Sequence, residues 1–77
     1  MDLAIEQELK AERAASLGRA GAALERALDA WRRSPTPTNV REAQKRLWYL
    51  VVQREAMGLN RHREVYDVYA VPRGWWF

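Results

Sequence analysis

The sequence has no cysteine, one histidine and three prolines among 77 residues. Without cysteine there is no disulfide and no thiolate metal site, and His62 alone does not build a structural zinc site. The longest bulky apolar run, Leu47 to Val52, is six residues long, whereas a membrane-spanning helix needs about twenty. The opening Met1-Asp2-Leu3-Ala4-Ile5-Glu6 is acidic and interrupted, unlike a secretory or transit peptide. These absences predict a cytoplasmic protein with no membrane segment. The sequence also lacks a phosphate-cradling glycine loop, a nucleophile elbow, metal-ligand spacing and a distinct pair of carboxylates. It therefore reads as non-enzymatic, with no cofactor and no metal. Residues 1–77 form one small domain. A core of this size gives a modest stability margin, and with disulfide and metal removed, oligomerisation is the remaining way to reinforce it.

Aromatic residues are concentrated at one end. Seven of the eight lie in the last thirty positions, and the sequence closes Gly74-Trp75-Trp76-Phe77. Three exposed rings would form an apolar patch of the kind that marks an interface. The net charge is +3, and the excess sits in the same half: residues 34–77 carry seven bases and four acids, residues 1–33 six of each.

The pattern along the chain is helical throughout. Leu3, Leu17, Leu24, Leu28 and Trp31 follow helical spacing, with Ile5 and Leu9 as an i,i+4 pair, and alanine fills most gaps. A long first helix is expected over about 2–33, with Asp2, Glu6 and Glu8 early and Arg32 and Arg33 late, matching the helix dipole. Gly18 and Gly21, with Ala14 and Ala22, either form a notch where a helix or large ring approaches closely or mark a break. Pro35 and Pro37 punctuate a loop over 34–37, with Thr36 or Thr38 as the N-cap. A second helix follows over about 38–57, burying Val40, Ala43, Leu47, Leu50 and Val51, with Trp48 and Val52 widening the stripe. The short connection makes the two helices an antiparallel hairpin. Gly58 and Leu59 fit a Schellman ending. A third helix is expected over about 61–70, capped by Asn60 and facing inward through Val65, Val68 and Tyr69, with a tail over 71–77. The fold class is thus all-α: a long helix and a second helix in a hairpin, plus a short third helix and an aromatic tail.

The lengths leave something uncovered. At 1.5 Å per residue the first helix spans about 45 Å and the second about 30 Å. Helix 2 is exhausted near Ala14, so Leu3, Ile5 and Leu9 overhang. Either the third helix and tail cover them, by folding toward the N-terminal half of helix 1, or a second copy does. The candidate interaction surface is Leu3, Ile5, Leu9, Tyr66, Tyr69, Trp75, Trp76 and Phe77. The leading reading is a non-enzymatic, self-associating interaction protein, a homodimer or the partner of another protein. The alternative is a weak nucleic-acid-binding module using Arg61, Arg63 and Arg73 with the aromatic rings, suited to single strands.

Other constellations carry less. Arg19, Arg26 and Arg33 recur every seven residues, but Glu25 and Asp29 interrupt the stripe, which reads as a solvated face. Residues 38–70 invite a helix-turn-helix reading with Arg61, His62 and Arg63 at the start of a recognition helix. It fails because Glu64 and Asp67 stand where that helix should be apolar. His62 with Arg54, Glu55 and Asn60 suggests a polar cluster, against the simpler expectation of an exposed first-turn histidine.

Ala15-Ser16-Leu17-Gly18-Arg19, Leu47-Trp48, Val52-Gln53-Arg54-Glu55-Ala56-Met57-Gly58-Leu59, His62 and Tyr69-Ala70-Val71-Pro72 together resemble a family of small bacterial proteins of unknown function. The likeness covers most of the chain and implies a helical fold and a bacterial source. It transfers no catalytic residue. The Gly74-Trp75-Trp76-Phe77 ending departs from the family pattern, which continues in polar and aliphatic residues.

Overall fold

The computed structural model describes residues 3–77. Helix α1 spans Leu3–Arg33, α2 Pro37–Ala56 and α3 Arg63–Val68, followed by a single 3-10 turn at Arg73–Trp75. Asp2, read from its charge as part of the first turn, lies outside the described residues. No strand occurs among the described residues, and the fold is all-α.

Helix α1 runs unbroken through both glycines. Only one of them is a notch. A Cβ at Gly21 would lie 2.5 Å from the Tyr69 hydroxyl, whereas one at Gly18 would meet nothing within 4 Å. The large ring anticipated at the small-residue stretch is thus Tyr69, and it uses Gly21 alone.

The loop settles the choice of cap. Thr36 is the N-cap of α2, its Oγ1 accepting from the Asn39 N–H at 3.1 Å, and Pro37 takes the first helical position. Asn39 also closes the other helix. Its Nδ2 donates to the Ser34 carbonyl at 2.7 Å and the Ala30 carbonyl at 3.5 Å, so one side chain binds the end of α1 to the start of α2. The hairpin closes over Leu24, Leu28, Ala43, Leu47, Leu50 and Val51, all buried. Truncating a leucine in such a seam costs about 2–5 kcal/mol. Trp48 and Val52, expected to widen this stripe, instead face outward at 49% and 41% exposure.

Two Schellman motifs then steer the chain. At the end of α2 the Gly58 N–H bonds the Glu55 carbonyl and the Leu59 N–H bonds the Arg54 carbonyl, both at 2.9 Å, with Gly58 at φ +81°. The same pattern ends α3: Ala70 N–H to the Asp67 carbonyl and Val71 N–H to the Tyr66 carbonyl, with Ala70 at φ +53°. A non-glycine residue there costs about 1–2 kcal/mol, which burial of the following Val71 helps offset.

The third segment departs from expectation in three ways. Helix α3 is six residues long, and His62 rather than Asn60 occupies its N-cap, with no side-chain cap bond. Its inner face is Val65 and Tyr66; Val68, expected inside, is 77% exposed. Starting late and ending early, the helix brings Tyr66 rather than Val68 onto the hairpin. It also runs the other way. Tyr69 meets Gly21, Arg32 Nη2 donates to the Tyr69 carbonyl at 2.9 Å, and Trp75 packs on Trp31. The chain thus folds back over the C-terminal half of α1, not the N-terminal half. The turn at Gly58 reverses it.

The two glycines separate experimentally. Gly18→Ala gains helix propensity in open space and should stabilise by about 0.5–1 kcal/mol. Gly21→Ala must displace the Tyr69 ring, so it should be about 1–3 kcal/mol less stable than Gly18→Ala. Urea unfolding of the two variants side by side measures the difference.

Candidate functional site

The candidate interaction surface read from the sequence falls into two groups at opposite ends of the hairpin. The first is the overhang. The Ser16 hydroxyl lies 3.2 Å from Gln53 Oε1, which sets the end of α2 beside the middle of α1. Beyond it Leu3 is 71% exposed, Ile5 49% and Leu9 39%. No element of the chain covers them among the described residues.

The second group is the aromatic tail, which packs in cis. Trp75 meets Trp31 with centroids 4.8 Å apart, and Trp76 stacks on Tyr66 at 4.8 Å and 14°. The Trp76 indole N–H donates to the Val71 carbonyl at 3.0 Å, and the Phe77 N–H to the Tyr66 hydroxyl at 3.1 Å. Tyr66 is therefore core, 4% exposed, rather than surface. Tyr69 is half-buried against Gly21, and of the tail rings only Phe77 stands out, at 67% exposure. The tail completes the core at the loop end of the hairpin and leaves the overhang bare. The expected contact between the two is thus absent among the described residues.

The three basic candidates divide as well. The guanidinium groups of Arg63 and Arg73 lie 5.0 and 5.4 Å from the Trp76 ring centroid. With Tyr66 against Trp76 as well, that ring is already occupied. Arg61 contributes its carbonyl to Arg54 Nη2 at 2.8 Å, while its side chain lies outward.

The polar cluster at the α2–α3 junction does form. His62 Nε2 lies 3.0 Å from Glu55 Oε1, and the His62 side chain is only 10% exposed. The expectation of an exposed first-turn histidine is thus overturned: α3 starts after His62, and the ring folds back against the end of α2. This is a His–carboxylate pair. Glu55 holds one ring nitrogen, and the other, Nδ1, is buried without a hydrogen-bond partner among the described residues, as is Arg54 Nε. No group of three or more acidic or histidine side chains that could hold a metal occurs among the described residues.

One surface escaped the sequence reading. The face of the hairpin opposite α3 is an open groove, with two depressions of about 300 and 310 Å³. Alanines 20, 23 and 27 of α1 form its floor, and Arg46, Tyr49 and Gln53 of α2 form its far wall. Arg46 is held there by Glu42 at 2.8 Å. The signal was available: Ile5, Leu9, Ser16, Ala20, Ala23 and Ala27 are spaced to share one helix face. Alanine's role as a helix former masked it.

The cis packing of the tail makes a sharp contrast between neighbours. Trp76→Ala removes a stacked ring and an indole hydrogen bond and should cost about 3 kcal/mol or more. Phe77→Ala should stay within about 0.5 kcal/mol of the parent. Thermal unfolding followed by near-UV dichroism distinguishes them.

No curated protein and no solved structure matches the chain. The family-level likeness read from the sequence does hold: residues 2–75 match one family model, and the chain belongs to DUF6665, a family of unknown function.

Proposed function

We propose that this protein is a non-catalytic helical interaction module that self-associates through the uncovered stretch of α1. The observation that carries the proposal is the bare overhang. Helix α1 has 31 residues against 20 in α2, the aromatic tail is committed elsewhere, and Leu3, Ile5 and Leu9 remain in water. Burying an exposed leucine or isoleucine stabilises by about 1.5–3 kcal/mol, which favours a second chain over solvent. The family match supplies no competing activity, and the enclosed His62 gives no support to catalysis. The proposal includes a bacterial, cytoplasmic setting, supported by the resemblance of the sequence to a family of small bacterial proteins and by the lack, among the described residues, of a helix long and apolar enough to cross a membrane.

Nucleic-acid binding is the weaker reading. Stacking needs a free aromatic face beside the basic residues, and Trp76 is covered by Tyr66 with Arg63 and Arg73 beside it.

Sedimentation equilibrium tests the proposal. The full chain should show a concentration-dependent dimer, and Ile5→Ser with Leu9→Ser should raise its Kd by about tenfold or more while leaving the helical dichroism intact. A chain that stays monomeric across the concentration range would overturn it.

A further inference from the structure

Resting on that reading, we infer that the partner is a second copy lying antiparallel along α1, with Ile5 and Leu9 of each chain seated on the Ala20, Ala23 and Ala27 floor of the other. Size and charge both carry the inference.

The size argument starts from the shared face. Ile5 and Leu9 lie in line with Ser16, Ala20, Ala23 and Ala27, at helical spacings of 4, 7, 4, 3 and 4. The N-terminal part of the stripe carries bulky, exposed side chains with nothing on them. The C-terminal part carries methyl groups at the bottom of an open groove walled by Arg46, Tyr49 and Gln53. Knobs stand at one end and a hole lies at the other. In a parallel pair knobs would meet knobs and the groove would stay empty. Turned antiparallel about a two-fold axis near Ser16, position 9 comes opposite 23 and position 5 opposite 27. Each chain then fills the groove of the other, which is the self-complementary contact a two-fold dimer requires.

The charge argument uses the residues beside the stripe, of which Arg19 and Arg26 also edge the groove. Glu8, Glu12, Arg19 and Arg26 flank this stripe on one side, at spacings of 4, 7 and 7. All four are exposed, and none forms an ion pair among the described residues. Glu8 and Glu12 are like charges one turn apart, an arrangement that weakens an isolated helix. The same antiparallel register sets Glu12 beside Arg19 of the other copy and Glu8 beside Arg26. Flanking charges of this kind set the orientation of paired helices.

The test exploits the sign of these charges. Glu8→Arg with Glu12→Arg makes the flank wholly basic, and Arg19→Glu with Arg26→Glu makes it wholly acidic. Each double variant alone should dimerise at least about tenfold more weakly than the parent. The two mixed together should form a heterodimer, and the variant carrying all four changes should recover the parent's affinity. Sedimentation equilibrium at low salt reads all four. A second measurement does not depend on charge reversal. Since the chain has no cysteine, a Glu12→Cys copy mixed with an Arg19→Cys copy should cross-link on mild oxidation, and Glu12→Cys alone should not.

Unchanged dimerisation of both charge variants, or self-cross-linking of Glu12→Cys, would overturn the antiparallel arrangement. If Ile5→Ser and Leu9→Ser still weakened that dimer, the self-association reading would survive it. A parent chain that never dimerises would remove both.

Discussion

The structure depends on the unequal length of its two main helices. A proline loop fixes where α1 ends and α2 begins, with Asn39 bonded to both sides of the turn. From that anchor the two helices run together past the Ser16–Gln53 contact to the end of α2 near Arg13. The unmatched remainder sets the rest of the arrangement. The N-terminal part of α1 has no cover, and the last third of the chain, turned back at Gly58, must find its place on the hairpin. That segment takes the side where Gly21 lets Tyr69 approach. The opposite side, floored by alanine, stays open.

The two faces of α1 therefore differ in kind. One is filled from within by Val65, Tyr66, Val71 and the tryptophans of the tail. The other is shallow along one half of the helix and bulky along the other, with acids beside the bulk and arginines beside the shallow part. The first arrangement accounts for how a chain this small builds a core without a disulfide. The second gives that core an edge suited to another helix.

How far the sequence carried this differs by segment. The hairpin was legible because its signals are local and redundant: Pro35 and Pro37, a threonine cap, leucines at helical spacing, and glycine at the end of α2. The third segment was not. Its second reversal is made by Ala70, which carries no sequence mark of a left-handed turn, and its inner face depends on where α3 starts, a matter settled by the hairpin beneath it. Tyr66 and Val68 exchanged roles for that reason. The overhang came from helix lengths alone, while the direction of the tail did not, because periodicity says which face of a segment is apolar and not which neighbour receives it. His62 was misplaced for a related reason: its burial depends on a contact back to Glu55, seven residues earlier in the chain.

The close approach of Tyr69 to Gly21 also orders events in time. The tyrosine site exists only where α1 has formed around Gly21, whereas the hairpin is closed by a loop of a few residues. Contacts that close short loops form before those that depend on them. Contact order therefore predicts that the tail arrives last, and its tryptophans Trp75 and Trp76, packed on Trp31 and Tyr66, are the optical reporter that would test it.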